Sequence, residues 1–261
     1  MEKHSVSATS LSVYVRTTIF YIVLVVFTIV FTSTATIIGP TLPYEKRFKW
    51  IIQGYTKFVI AWLKVSCNIH YELYGTDNIP AKPCIICSKH QSTWETFFLQ
   101  TLFAPQTQVI KKELLNIPFF GWAFSLVEPI AIDRSNRKDA IKQVISQGTE
   151  KLNRGVWVLI FPEGTRIPSG QKKKFSRGGA TLSKETGLPM LPVAHNAGEH
   201  WPNHSLLKHP GTIKVVFGPV IHPGGKSIDQ INSEAETWIN HTVDNIRLVN
   251  SDADLLSYAL K

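Results

Sequence analysis

His90-Gln-Ser-Thr-Trp-Glu95 follows one short apolar run, and Phe161-Pro-Glu-Gly-Thr-Arg166 follows another. The first hexapeptide sets an imidazole and a carboxylate five residues apart, where a strand should give way to a helix. A carboxylate that accepts the imidazole N–H fixes the tautomer and raises basicity, leaving the other ring nitrogen to take a proton from a hydroxyl. General-base assistance of this kind is worth roughly 10²–10⁴ in rate. The second hexapeptide sets Glu163, Gly164, Thr165 and Arg166 in a loop. Proline ends the strand and glycine lets a ligand approach the backbone closely. Arginine offers bidentate hydrogen bonds to a phosphate, worth roughly 1.5–3 kcal/mol per charged bond. One set can move a proton and the other can hold an anion.

Five residues along a helix turn through ~500°. His90 and Glu95 therefore meet only if the histidine sits in the loop and the glutamate in the first helical turn. Ser92-x-x-Glu95 is a capping-box pattern that places the helix start at Ser92. The plainer reading is that Glu95 only caps the helix and His90 is a polar loop residue. Two further apolar runs end in cations, at Lys111 and at Asp133-Arg134. Open α/β sheets place ligand-contacting residues at strand ends, and here such ends carry His, Lys, Arg and Glu/Arg. The run Lys172, Lys173, Lys174 with Arg177 can extend that anion field, although a solvated loop is the commoner fate of a charge run.

The elements that must position these groups alternate along the chain. Apolar runs predict strands over 83–88, 108–110, 130–132, 156–161, 190–194 and 212–217. Helical periodicity predicts helices over 92–102, 137–152, 178–186 and 227–249, and the last dozen residues read as a plain tail. Strands separated by helices predict an α/β fold with a mostly parallel or mixed sheet flanked by helices. Ahead of it, no Asp, Glu, Lys or Arg occurs from Thr17 to Tyr44, and 19–38 is just long enough to cross a bilayer. Gly39-Pro40 breaks that segment, and an amphipathic stretch over 50–65 follows as an interfacial helix or return arm. The expected organisation is a membrane-associated helical hairpin over 1–66 and an α/β domain over 67–261. A cleaved signal peptide is disfavoured by the length of the apolar stretch. Cations are denser after it (Lys46, Arg47, Lys49) than before it (Lys3, Arg16), which places the main domain on the cytoplasmic side.

A net charge of +9 suits a partner bearing phosphates: an anionic membrane face, a phosphorylated small molecule or nucleic acid. Basic-aromatic patterning for nucleic acid is lacking. Three cysteines supply no disulfide framework. Cys84 and Cys87, three apart on a strand, face opposite sides and read as buried apolar residues rather than a metal or redox pair. No serine elbow, nucleotide-phosphate loop or dinucleotide fingerprint is present, and His-x₄-Glu lacks the companion histidine of zinc proteases.

In order and spacing these residues resemble the glycerolipid acyltransferase family, specifically bacterial 1-acyl-sn-glycerol-3-phosphate acyltransferases. That family carries His-x₄-Asp/Glu, matching His90 and Glu95; a short apolar run ending in Arg, matching Ile132-Asp133-Arg134; Phe-Pro-Glu-Gly-Thr-Arg, matching 161–166; and an apolar-Pro-apolar strand, matching Leu191-Pro192-Val193. Lys111 and Phe175-Ser-Arg-Gly-Gly179 are also similar, so the likeness spans about 50 to 225. Many members have Asp where this chain has Glu95, one methylene longer.

The resemblance implies acyl transfer from acyl-CoA or acyl carrier protein to the 2-hydroxyl of lysophosphatidic acid, giving phosphatidic acid. His90 is then the general base and Glu95 its orienter, with direct attack on the thioester and no covalent acyl-enzyme. Lys111, Arg134 and Arg166 hold the acceptor phosphate. Glu163, Gly164 and Thr165 belong to the binding loop, where backbone N–H groups can steady an oxyanion. No metal or cofactor is implied, and the expected location is the bacterial inner membrane. The same chemistry on glycerol-3-phosphate, dihydroxyacetone phosphate or another lysolipid is an alternative, as is a basic lipid-binding membrane protein without catalysis.

Overall fold

The computed structural model describes residues 10–132, 137–246 and 252–260. The chain opens with the expected hairpin. α1 (Leu11–Ile38) runs for 28 residues. A turn at Gly39–Thr41 and a short α2 (Tyr44–Arg47) lead into a π-helical stretch over Phe48–Gln53, then α3 (Gly54–Cys67) returns. Phe27 stacks on Phe58 with 3.6 Å between ring centroids, and the Trp62 indole N–H donates to the Phe20 carbonyl, so the two helices run antiparallel. The hydroxyls of Thr28, Thr32, Thr34 and Thr36 donate to the carbonyls four residues back. A threonine-rich helix thereby satisfies its own polar groups and can face an apolar medium.

The strands among the described residues are β1 (Ile69–Tyr74), β2 (Ile85–Ser88), β3 (Gln106–Lys111), β4 (Ile130–Ile132), β5 (Trp157–Ile160), β6 (Met190–His195) and β7 (Gly211–Phe217). They form one mixed sheet in the order β1-β7-β6-β2-β5-β3-β4. Every pairing is parallel except β6 with β7. The central β2 and β5 are buried at every residue, which is why both read as unbroken apolar runs rather than alternating ones.

Helices cover both faces. Beyond the hairpin they are α4 (Trp94–Leu102), α5 (Phe120–Ser125), α6 (Arg137–Asn153), α7 (Gly178–Thr186), α8 (Ala197–His200), α9 (Ile228–Ile246) and α10 (Asp252–Ala259). On one face Phe20 of α1, Leu63 of α3 and Trp94 and Phe98 of α4 pack against Ile86, Leu159 and Leu191. On the other, residues of α6, α7, α9 and α10 pack against Ile85, Val158 and Ala194. Cys84 and Cys87 enter opposite clusters, as a strand spacing of three requires. Burial pushes the Cys84 thiol up to about 12.

Three sequence expectations need correction. β1 was not foreseen; it is an edge strand whose mixed burial gave little signal, and its parallel pairing with β7 defines it. The expected plain tail contains α10, whose Leu255 and Ala259 are buried and whose Ala259 carbonyl accepts from the Asn78 amide at 2.6 Å. The helix after His90 begins at Trp94, two residues later than expected, because Ser92 and Thr93 form a turn ahead of it.

The topology decides where a ligand can bind. β2 and β5 are neighbours, yet the chain leaves β2 for α4 on one face and leaves β5 for α7 on the other. Diverging connections open a crevice beyond the carboxyl ends of the two strands, the usual ligand position in an open α/β sheet. His90 lies just past β2, and 161–166 lies just past β5.

Candidate active site

His90 occupies the turn between β2 and α4, with its Nδ1 2.9 Å from Glu95 Oε1. The same oxygen accepts the backbone N–H groups of Gln91 and Ser92, each at 2.8 Å. Ser92 Oγ in turn accepts the N–H of Trp94 at 3.1 Å. One carboxylate therefore braces the turn ahead of α4 and orients the imidazole at once, although α4 has no side-chain cap at Thr93. Burial pushes the Glu95 carboxyl up. The imidazoles of His195 and His90 and the Ser92 N–H outweigh it, and the carboxyl lies below its ordinary range. With Nδ1 engaged, Nε2 is the ring nitrogen left for the cleft that His90 lines.

The second hexapeptide closes against the first. The Phe161 ring stacks on the His90 imidazole at 4.0 Å and 16°. The Ile167 N–H donates to the His90 carbonyl at 2.8 Å. Lys89 Nζ lies 3.0 Å from Glu163 Oε1, with both side chains shut off from solvent. Burial raises the Glu163 carboxyl, Lys89 opposes it, and the net direction is up. Gly164 takes φ 69°, and its N–H donates to the Phe161 carbonyl at 3.0 Å. That donor is engaged within the turn. Thr165 is exposed, and Arg166 donates to Asn203 Oδ1 at 3.2 Å.

These groups border a cleft of about 1240 Å³. Its polar lining includes His90, Thr165, Arg166 and Lys111, which ends β3. Its apolar part is walled by Phe120, Phe124, Ile132, Ile141 and Val144. Lys173, Lys174 and Arg177 border it, Arg177 also pairing with Asp229, whereas Lys172 pairs with Asp244. Of this basic run, Lys172 alone lies away from the cleft. Arg134 lies outside the described residues.

Sequence reasoning missed three residues. Lys89 adjoins His90, and a lysine abutting a fully buried strand was the available signal. His195 ends β6, buried; its Nε2 meets the Lys89 carbonyl at 2.9 Å and its Nδ1 accepts the Ala197 N–H at 3.2 Å. Those partners fix a neutral ring with the proton on Nε2, and burial keeps its pKa low. A histidine closing an apolar strand was again a readable sign. Asn203 had none.

The family model described as Acyltransferase matches residues 70–196, a stretch that includes both hexapeptides. The chain is 51% identical over 235 residues to the 1-acyl-sn-glycerol-3-phosphate acyltransferase of Pseudomonas aeruginosa, covering 89% of this chain and 91% of that protein. The chain belongs to the acyltransferase family. A probable 1-acyl-sn-glycerol-3-phosphate acyltransferase of Mycoplasma genitalium is 29% identical, covering 82% of this chain and 81% of the other. The crystal structure of the 1-acyl-sn-glycerophosphate (LPA) acyltransferase PlsC from Thermotoga maritima shares the fold, with a TM-score of 0.75, 24% identity, and coverage of 92% of this chain and 98% of that one. In this acyltransferase the family's histidine and arginine blocks are the two walls of a single cleft. α1 is long and apolar enough to cross a membrane, which suits membrane association. Among the described residues no three His, Cys, Asp or Glu side chains converge as metal ligands would.

Proposed function

We propose that this acyltransferase moves a fatty acyl group from the thioester of coenzyme A or acyl carrier protein to the 2-hydroxyl of lysophosphatidic acid, giving phosphatidic acid. The observation that carries the reading is the His90–Glu95 pair, 2.9 Å apart, with His90 lining a cleft that Lys111 and Arg166 also line. The name of the Pseudomonas relative supports the choice of acceptor.

His90 Nε2 takes the proton of the acceptor hydroxyl as that oxygen attacks the thioester carbonyl. The tetrahedral oxyanion then collapses, the C–S bond breaks, and the proton on Nε2 passes to the departing thiolate. Glu95 keeps the imidazole oriented and stabilises its charged form between the two transfers. Lys111 and Arg166 hold the acceptor phosphate, with Arg134 assigned to the same task from its place in the motif. Glu163 takes no direct part in that grip: paired with Lys89, it holds the loop while Gly164 and Thr165 present backbone to the cleft. The apolar wall receives an acyl chain. No cofactor or metal enters this scheme.

The outward face of α1 anchors the domain at a bilayer, where acceptor and product reside. Lys46 and Lys49, exposed just after it, favour the cytoplasmic side of a bacterial inner membrane. The test is transfer from radiolabelled acyl-CoA and acyl carrier protein to a panel of acceptors with and without phosphate. Product from lysophosphatidic acid, lost in His90→Ala, is expected. Preference for glycerol-3-phosphate, dihydroxyacetone phosphate or another lysolipid would reassign the acceptor, and no transfer to any would leave a lipid-binding protein.

A further inference from the structure

Between β3 and β4 the chain makes an excursion that leaves large apolar side chains outside. Ile117, Phe119 and Trp122 are 43%, 41% and 49% exposed. Phe119 adopts φ 63°, a region that a bulky residue normally avoids, and its ring lies 5.3 Å from that of Trp122. Leaving apolar side chains in water forgoes the gain of burying them, and contiguous exposed patches mark interaction sites.

The other sides of the same segment are engaged. Ala123, Phe124 and Val127 pack with Ala35 of α1 and with Phe48 and Ile51 of the hairpin turn. Leu114, Phe120 and Phe124 line the cleft. The excursion therefore touches both the hairpin and the cleft, and leaves Ile117, Phe119 and Trp122 exposed.

Two observations identify what covers these side chains. The first is continuity with the apolar face of α1. Ile37 and Ile38 are exposed at the end of the helix that meets this segment, where Leu126 lies against Gly39. The second is charge. Lys111 and Lys112 are exposed immediately before the excursion. Lys46 and Lys49 are exposed in the hairpin turn beside it, where the Tyr44 hydroxyl donates to the Val127 carbonyl at 3.4 Å. Aromatic and aliphatic side chains bordered by lysines suit the interfacial zone of an anionic bilayer. A soluble protein partner would not require the patch to continue the face of a membrane helix.

We propose that Ile117, Phe119 and Trp122 form a second membrane-seating element, a wedge that enters the bilayer interface beside α1 and holds the cleft mouth at the lipid surface. Membrane seating stands by itself; its use for delivering a lipid acceptor rests on the function proposed above. Acceptor and product then exchange sideways between bilayer and cleft without crossing water.

The experiment uses the full chain in vesicles of phosphatidylethanolamine and phosphatidylglycerol, with bromine on the upper acyl chains of a fraction of the lipid. The chain has seven tryptophans, so the emission of Trp122→Phe is subtracted from that of the wild type. The difference spectrum should be blue-shifted, quenched by brominated lipid and insensitive to aqueous iodide. Quenching by iodide alone would overturn the proposal in favour of bare surface. Insensitivity to both would overturn it in favour of a protein contact. As a second arm, Ile117→Ser/Trp122→Ser should lower turnover of a long-chain acceptor embedded in vesicles by about tenfold, with a short-chain soluble acceptor turned over as before. Equal loss on both acceptors would count against the wedge. A wild type inactive on every acceptor would sink the functional reading and leave the quenching result standing.

Discussion

Lys89 and Glu163 form an ion pair of 3.0 Å that water does not reach. One follows β2 and the other follows β5, so the pair ties the histidine turn to the arginine loop beneath the surface of the cleft. The Ile167 N–H to His90 carbonyl bond and the stacking of Phe161 on His90 join the same two segments nearer the surface. His90 and the 161–166 loop are thus tied together by an ion pair, a backbone hydrogen bond and a ring contact.

Lys89→Met should strand a buried carboxylate. Breaking such a pair costs roughly 3–5 kcal/mol, and replacing both charges by neutral groups costs far less. Thermal unfolding in detergent should show a large drop for Lys89→Met and substantial recovery for Lys89→Met/Glu163→Gln. Equal midpoints for the two variants would remove the ion pair from the account of the loop's stability.

His90→Ala should cut kcat by roughly 10²–10⁴ with folding retained. Glu95→Gln should cost activity and stability together, since its carboxylate holds the imidazole and two backbone N–H groups. Wild-type turnover in His90→Ala would sink the general-base assignment.

Arg166→Ala should raise the acceptor KM by about 10–100-fold, the equivalent of one charged hydrogen bond to phosphate, and leave the donor KM unchanged. Asn203→Ala, which frees the guanidinium from its partner at 3.2 Å, should have a smaller effect in the same direction. A raised donor KM with an unchanged acceptor KM would move Arg166 to the thioester side.

Gly164→Ala should destabilise the loop by ~1–2 kcal/mol, the cost of a left-handed backbone for a residue with a Cβ. No heavy atom stands within 4 Å of where that Cβ would lie, so the penalty is conformational rather than steric. Unaltered unfolding with unaltered kinetics would show that the loop relaxes freely.

His195 makes stability depend on pH. Its folded pKa lies below the ordinary 6.5, so below that value the unfolded chain binds more protons and stability falls as pH drops. The Glu95 carboxyl, also lowered from 4.5, acts in the same sense in more acid solution, whereas the raised Glu163 carboxyl opposes both. Unfolding midpoints should decline from pH 7 to 5.5 in the wild type and less steeply in His195→Gln, whose amide can still donate to the Lys89 carbonyl. Identical slopes would place the titration elsewhere.

Much of this was legible because it depends on local chemistry. The two hexapeptides, the bond from the Ser92 N–H to Glu95, the buried runs of β2 and β5 and the apolar α1 all follow from residue types at short spacing. β1 and α10 were not legible, since each is defined by a partner more than 130 residues away in the chain: β7 for the strand, and Asn78 for the close of the helix. Lys89 and His195 show the same limit inside the site. A lysine and a histidine at strand ends suggest ligand contact, and only the fold turns them inward onto Glu163 and a backbone carbonyl.

The sequence by itself determined that an imidazole stands near a carboxylate and a guanidinium near a glycine in two short motifs, and that a charge-free segment would seek an apolar medium. Periodicity and composition act over a few residues, which is enough for those conclusions. Tertiary structure decided that β2 and β5 are neighbours with diverging connections, which brings His90 and Arg166 to one cleft. It also set the excursion between β3 and β4 against the end of α1. Strand order and helix packing are long-range outcomes of burying both faces of a sheet, and no local spacing encodes them.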